Sequence, residues 1–199
     1  MQSVARISGL RQLYHSLSGL ALVFIFSFLD KPADVYLTLI LLFLAIIIET
    51  DRLYLPGINR MVIRCFGILM RSEERQNPTG TLYYLLGALA ALLLFPKEIA
   101  LFSMTVLAVG DPAAYIIGSN FGKFRIGKKS LEGSLAFLTA SVIAGLLLSN
   151  LWDSLSFIAI ITGAVTGTVV ELMPIKINDN LTIPVTASAA IYVMSLYIN

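Results

Sequence analysis

An acidic residue, Asp111, lies inside the apolar segment IALFSMTVLAVGDPAAYIIG. A charged side chain within a membrane-spanning segment costs about 2.5–3.5 kcal/mol even on the lenient insertion scale, and such a residue is functional by default. Gly110 and Pro112 flank Asp111. Because glycine loosens a helix and proline removes a backbone donor, we predict a break or kink at this point. The alternative is a structural kink whose carboxylate is paired with a neighbouring cation.

A segment rich in glycine and basic residues, GSNFGKFRIGKKS, follows Asp111. Glycines permit close backbone approach, and free N–H groups before a helix favour anions, so the composition predicts a phosphate-binding loop. The full Walker A pattern, GxxxxGK[ST], does not occur in it. A basic cytoplasmic loop that merely sets topology explains this feature equally well. The candidate groups are Gly118, Gly122, Lys123, Arg125, Gly127, Lys128, Lys129 and Ser130.

Oxygen-bearing side chains recur near the end of the chain. Glu171 closes the apolar segment FIAIITGAVTGTVVELMP, and Asp179 and Asn180 open the next one. Because only a short turn separates them, they can face one another at one depth of the bilayer. Such ligands suit Mg²⁺, which proteins hold with one or two carboxylates plus substrate phosphates. The pattern therefore indicates a magnesium site.

Two further residues have ambiguous signals. Glu132, with Gly133, opens the apolar segment after the glycine-rich loop, where an acid is favourable for ordinary helix-dipole reasons. His15, the single histidine, follows Arg11 by about one helical turn. An interfacial anchor pair and a phosphate contact both explain this arrangement.

The composition is that of an integral membrane protein. Hydrophobic residues make up 57% of the chain and charged residues 13%, whereas about a quarter of a soluble domain is charged. No separate basic domain exists, which argues against a nucleic-acid partner. Cys65 is alone, which excludes a disulfide framework or a cysteine metal site.

The apolar segments predict an all-α bundle of about seven transmembrane helices within a single domain, residues 1–199, because each segment approaches the roughly 20 residues that a span needs. Residues 56–72 instead predict an amphipathic helix at the membrane interface, with a re-entrant or cytoplasmic position as the alternative. The predicted spans are 13–29, 33–50, 79–95, 98–118, 132–149, 153–172 and 180–198.

The basic residues predict the orientation. With the N-terminus in the cytoplasm, every Lys and Arg except Lys31 and Lys97 falls on the cytoplasmic side, as the positive-inside rule requires. That rule makes no demand on acids, yet most of them fall on the same side. The mixture indicates a site that handles both metal and phosphate. These acids are Glu49, Asp51, Glu73, Glu74, Asp111, Glu132, Glu171 and Asp179.

Several stretches together resemble the CTP-dependent lipid-alcohol kinases, a family that includes dolichol kinase, phytol kinase and the CTP-dependent diacylglycerol kinase. The stretches are RQLYHSLSG, PTGTLYYLLG, VGDPAAYIIGSNFGK, KKSLEGSLAF, VVEL and DNLTIP. The resemblance implies a membrane-embedded, Mg²⁺-dependent enzyme. It would transfer the terminal phosphate of CTP, or another nucleoside triphosphate, to the hydroxyl of a polyprenol, a phytol-like alcohol or diacylglycerol. A prokaryotic-type plasma membrane, with the site on its cytoplasmic side, is the expected location.

The resemblance also implies roles for individual residues. Asp111 would bind metal or accept the lipid hydroxyl proton, and Glu132 would bind metal or orient the phosphate-binding loop. The metal ligands would be Asp111, Glu171, Asp179 and Asn180. The triphosphate would be held by Gly118, Gly122, Lys123, Lys128, Lys129, Ser130 and Gly133.

Two other functions compete with the kinase. A cytidylyltransferase would make a CDP-lipid from a similar site, but the DR-x-D cluster of the phosphatidate cytidylyltransferases is missing. A transporter would place polar residues throughout the membrane depth and show repeated halves. Here the acids gather on one side and no internal repeat is visible, so the kinase ranks first and the transporter last.

Overall fold

The structure is a computed structural model that describes residues 2–149, 155–174 and 176–198. The described chain is almost entirely helical, with one short hairpin. The helices are α1 Gln2–Phe28, α2 Lys31–Tyr54, α3 Pro56–Phe66, α4 Gly80–Leu94, α5 Lys97–Phe121, α6 Leu131–Leu148, α7 Phe157–Leu172 and α8 Asp179–Ile198. A 3₁₀ turn covers Glu73–Arg75, and the strands β1 Arg125–Ile126 and β2 Lys129–Ser130 pair antiparallel.

The helices support an all-α membrane bundle. Each predicted span falls on a helix, although residues 153 and 154 of the span predicted over 153–172 lie outside the described residues. By length and composition, α2, α5, α6 and Asp179–Tyr197 of α8 can cross a membrane, while α4 and α7 are apolar but shorter. A bundle of about seven spans and a cytoplasmic N-terminus stay predictions.

The amphipathic helix predicted over 56–72 is shorter than expected. It is α3, which ends at Phe66, and the chain then turns until the 3₁₀ segment. Among the described residues, α3 packs mainly against α2 and none of its side chains is buried. Its exposed arginines, Arg60 and Arg64, lie one turn apart, as expected for a helix at an interface.

Helix α5 is the centre of the bundle, packing against α1, α4, α6, α7 and α8. Its residues from Ile99 to Ala108 are all buried. The helix continues without a break through Asp111 and Pro112, so the predicted break is wrong. Gly110 serves packing, because a Cβ there would lie 2.6 Å from the Phe137 ring of α6. Gly110 therefore allows α5 and α6 to approach closely. This role could not be predicted from the sequence of α5 alone.

Helices α1 and α2 pack on different neighbours. Helix α1 lies on α5, whereas α2 lies on α4 and α3. At the start of α2, the buried Asp34 forms an ion pair with Lys97 of α5 at 3.1 Å. Lys31 donates to the carbonyl oxygen of Phe95 at 2.8 Å. These contacts fix one end of α2, and a cavity lies between α1 and α2 toward the other end.

Candidate active site

The cavity has a volume of about 650 Å³ and is lined by α1, α2, α3, α4 and the segment that precedes α4, together with one residue each of α5 and α8. Its lining is polar toward the N-terminal part of α1 and the C-terminal part of α2. It is apolar along the middle of α1 and α2 and along α3 and the turn that follows it. The polar lining includes Arg11, His15, Arg71, Glu74, Asp111 and Asn180, and the apolar lining includes Leu22, Leu41, Leu44, Ala45, Val62, Phe66 and Leu69.

Asp111 joins this cavity to a second group of polar side chains. It lines the cavity from α5, and the same helix packs against α6, α7 and α8. One turn later on α5, the Arg11 guanidinium lies over the ring of Tyr115, with Cζ 5.6 Å from the ring centroid, in a cation–π contact. The carboxylate predicted from sequence therefore lies where the cavity meets the acidic residues of α7 and α8.

Lys129 connects the two acids that were predicted to face one another. Its Nζ lies 2.9 Å from Asp179 Oδ2 and 3.6 Å from Glu171 Oε1, and it also donates to the Glu171 carbonyl oxygen. Ser134 Oγ donates to Glu171 Oε2 at 3.1 Å. We call Lys129, Ser134, Glu171 and Asp179 the Lys129 cluster. It brings the hairpin, α6, α7 and α8 to one point beside Asp111.

The Lys129 cluster has the donor chemistry that Mg²⁺ requires. Carboxylate and carbonyl oxygens from Glu171 and Asp179 already receive a cationic group, the Lys129 ammonium. In the described residues, no three His, Cys, Asp or Glu side chains form a ready-made metal site. The two carboxylates are ligands of the type that Mg²⁺ takes, and they would hold the ion only together with substrate phosphates and in place of the Lys129 ammonium.

Asn180 lies beside the cluster and makes a different contact. Its Nδ2 donates to the Gly80 carbonyl oxygen at 2.9 Å, which ties α8 to the first residue of α4. Asn180 also lines the cavity. Asn180, which was predicted as a metal ligand, therefore links the cavity wall at Gly80 to the helix that carries Asp179.

The glycines of the predicted phosphate-binding loop pack around one hydroxyl. Ser130 is the N-cap of α6, and its Oγ accepts a hydrogen bond from Gly133 N at 3.1 Å. A Cβ at Gly118 would lie 2.8 Å from that Oγ, and one at Gly122 would lie 2.6 Å from it. Gly127 has φ +62 and supplies the turn between the strands. These residues give the hairpin its shape and hold it close to α5.

Glu132 holds the start of the hairpin. Its Oε1 accepts from Lys123 N at 3.0 Å and from Phe124 N at 3.3 Å. Those two amides are therefore bonded to protein rather than free for phosphate, contrary to the expectation of a loop with free N–H groups. The contacts favour the orienting role among the two predicted for Glu132. Lys123 and Lys128 are exposed on the hairpin, whereas Lys129 turns inward.

The sequence of this chain is similar to those of characterised lipid kinases. CTP-dependent diacylglycerol kinase 1 of Schizosaccharomyces pombe is 32% identical over 155 residues, which cover 70% of this chain and 71% of that protein. This chain belongs to the CTP-dependent lipid kinase family. It is therefore a phosphotransferase that acts on a lipid alcohol.

Other relatives of this lipid kinase agree with that assignment. CTP-dependent diacylglycerol kinase 1 of Saccharomyces cerevisiae is 32% identical over 67% of this chain and 47% of its own length. Phytol kinase 1, chloroplastic, of Arabidopsis thaliana is 26% identical over 92% of this chain and 65% of its own length. No family model matches the chain, and no solved structure matches it.

The structure brings to the cavity residues for which the sequence settled no role. His15 Nε2 is buried without a hydrogen-bond partner among the described residues, and its ring packs edge-on against Tyr84 at 6.2 Å. Arg71 and Glu74 reach the cavity from the irregular segment before α4. The polar run RSEERQNPT between two apolar segments marks these residues in the sequence. Their position at the cavity could not be predicted, because it depends on how α2 and α4 pack.

Proposed function

We propose that this chain transfers the terminal phosphate of CTP, or another nucleoside triphosphate, to the hydroxyl of a polyprenol, a phytol-like alcohol or diacylglycerol. It would do so as a single integral-membrane catalytic domain over residues 1–199. The observation that carries the proposal is the position of Asp111. This carboxylate lines the cavity from α5, the helix against which α6, α7 and α8 of the Lys129 cluster also pack, so it can serve an acceptor and a donor substrate together.

The cavity is the proposed acceptor site. Its apolar part, which includes Leu41, Leu44 and Val62, suits the hydrocarbon tail of a lipid that enters from the bilayer. Its polar part contains His15 and Asp111 and suits a hydroxyl group. The names of the relatives include both a diacylglycerol kinase and a phytol kinase, which supports a lipid alcohol as the acceptor.

The hairpin and the Lys129 cluster form the proposed donor site. Lys129 would exchange its carboxylate partners for phosphate oxygens, with Lys123 and Lys128 adding positive charge from the exposed side of the hairpin. Phosphoryl transfer depends mainly on positioning and on stabilising charge at the phosphates. Gly118, Gly122, Ser130 and Gly133 contribute by fixing the hairpin against α5.

The proposed step has a simple balance of bonds. The acceptor oxygen forms a bond to the terminal phosphorus while the bond from that phosphorus to its bridging oxygen breaks. CDP leaves with the bonding electron pair. Asp111 orients the hydroxyl and receives its proton, which then passes to water.

Mg²⁺ is the proposed cofactor, and it would neutralise developing charge on the phosphates. Asp111, Glu171, Asp179 and Asn180 are the residues proposed to hold it, together with substrate oxygens. Glu171 and Asp179 already share a cation, the Lys129 ammonium, which supports a shared positive charge at this point. The proposed location of the site is the cytoplasmic face of a prokaryotic-type plasma membrane, because most of the basic residues lie on that side.

The test is an assay of purified protein that crosses labelled CTP and ATP with a panel of lipid alcohols. We expect CDP and a lipid phosphate as products. Pyrophosphate and a CDP-lipid would instead establish a cytidylyltransferase.

Asp111→Asn should lower the rate at least about 100-fold, as loss of a positioned acid–base group does. Asp51→Asn is the matched control, since Asp51 is an exposed acid at the end of α2. Near-normal activity of Asp111→Asn would refute the assignment.

A further inference from the structure

Arg52, in the last turn of α2, is a buried cation whose bonds reach a different part of the chain. Its side chain is 1% exposed and pairs with Glu49, with Nη2 lying 2.5 Å from Glu49 Oε2. Most of the remaining bonds go to main-chain carbonyl oxygens: Nη1 donates to Glu74 O at 2.9 Å and to Arg75 O at 3.3 Å, and Nη2 donates to Asn77 O at 2.7 Å. Nη1 also donates to the side-chain oxygen Asn59 Oδ1 of α3 at 3.4 Å. Burying a guanidinium is costly unless its donors find partners. The segment before α4 supplies partners for both Nη groups, whereas Nε is buried without a hydrogen-bond partner among the described residues.

Glu49 and Glu74 hold the same segment from two sides. Glu49 Oε1 accepts from Thr79 Oγ1 at 2.6 Å and from Thr79 N at 3.3 Å. Glu74 Oε2 accepts from Arg71 N at 2.7 Å, and its Oε1 accepts from Gly80 N at 2.9 Å. Residues 71–80 contain one 3₁₀ turn, so these side chains supply much of the order that regular structure provides elsewhere.

The segment connects directly to the proposed site. Arg71, Glu74 and Gly80 line the cavity, and the Gly80 carbonyl oxygen accepts from Asn180 Nδ2. The residue before Asn180 is Asp179, which pairs with Lys129 at 2.9 Å. Polar contacts, together with the chain connection from Asn180 to Asp179, therefore link the end of α2 to the Lys129 cluster.

We propose that Glu49 and Arg52 are positioning residues, which we call the Glu49–Arg52 clamp. The clamp fixes residues 71–80 as the wall of the acceptor cavity and holds that wall in register with Asn180. It acts on the acceptor more than on the nucleotide, because its direct partners Glu74 and Thr79 line the cavity, whereas it reaches Lys129 of the hairpin only indirectly, through Gly80, Asn180 and Asp179. This inference rests on the proposed lipid kinase function for its kinetic consequences, whereas the clamp itself can be tested without activity.

The first experiment measures steady-state kinetics of the full chain in lipid nanodiscs. Arg52→Gln should raise KM for the lipid alcohol at least about tenfold, since it removes buried bonds that hold the cavity wall. KM for CTP should change by less than about twofold. Arg52→Lys retains the charge beside Glu49 but loses the planar guanidinium with its several donors. Its KM for the lipid alcohol should therefore lie between those of the wild type and Arg52→Gln. Arg60→Gln, which removes an exposed arginine from α3, is the matched control and should behave as wild type.

The second experiment measures amide hydrogen exchange and needs no activity. In Arg52→Gln, the amides of Arg71, Thr79 and Gly80 should exchange at least about tenfold faster, because local opening is no longer opposed by the clamp. The amides of α5 and α6 should keep their wild-type rates. Arg52→Lys gives the same comparison if the glutamine variant does not fold.

The results distinguish failure of the clamp from failure of the proposed function. Unchanged exchange over residues 71–80 would overturn the clamp, and so would an equal rise of KM for alcohol and CTP. A wild-type protein that phosphorylates no alcohol would refute the proposed function, while the exchange result would still decide whether the clamp exists. A selective rise in the alcohol KM together with faster exchange supports both.

Discussion

Lys129 occupies the position from which a nucleotide-binding cation would act. It differs from the neighbouring lysines of the hairpin, because Lys123 and Lys128 point to solvent while Lys129 reaches Glu171 and Asp179. An ammonium that already sits among acidic oxygens keeps those acids together before substrate arrives. Binding of a triphosphate with its metal would then exchange one set of charge pairs for another, without leaving a buried charge unpaired.

Replacement of Lys129 tests this role at the scale of one residue. We expect Lys129→Met to lower kcat/KM for CTP at least about 100-fold, since one lost contact to developing charge typically costs that much. Lys128→Met should lower it less than about fivefold, because exposed charges contribute little. Initial rates at varied CTP measure both variants. Equal losses in the two would show that Lys129 has no special place in donor binding.

At the scale of elements, the sequence predicts helix positions well and their contacts poorly. Helix α6 was predicted over 132–149 and covers Leu131–Leu148, because apolar length alone determines a span. The proximity of Glu171 and Asp179, which both contact Lys129, was predictable from the sequence because only a short turn joins their helices. The contacts of the Glu49–Arg52 clamp with the segment before α4 and the contact of Gly110 with Phe137 could not be predicted. Each joins residues that are distant in the sequence and that only packing brings together.

The end of α2 opposite the clamp offers an element-scale prediction. Asp34 is 0% exposed and pairs with Lys97 at 3.1 Å, which ties α2 to α5. Lys97→Met leaves that carboxylate buried without its cation and should reduce the free energy of unfolding by about 3–5 kcal/mol. Asp34→Asn combined with Lys97→Met should recover part of the loss. Unfolding in detergent micelles measures each variant, with the exposed Lys176→Met as control. A stability change below that of the control would contradict the role of the pair.

At the scale of the whole molecule, the cavity's polar end and the Lys129 cluster lie at the same end of the bundle. That end also holds Arg11, the clamp and the exposed arginines of α3. A water-soluble nucleotide and a membrane-bound alcohol must meet at such a boundary. The one-sided distribution of basic residues then predicts which compartment supplies the nucleotide, because the positive side of a membrane protein faces the cytoplasm.

The single cysteine makes this orientation testable. Cys65 is exposed on α3 and, by the charge distribution, should face the cytoplasm. A membrane-impermeant maleimide should therefore label it in inside-out vesicles and leave it unlabelled in intact cells. Asp30→Cys in a Cys65→Ser background places the thiol in the exposed turn between α1 and α2, at the opposite end of α2, and should give the reverse pattern. Labelling of Cys65 from outside intact cells would invert the topology, place the site on the outer face and remove the cytoplasmic nucleotide pool as its donor.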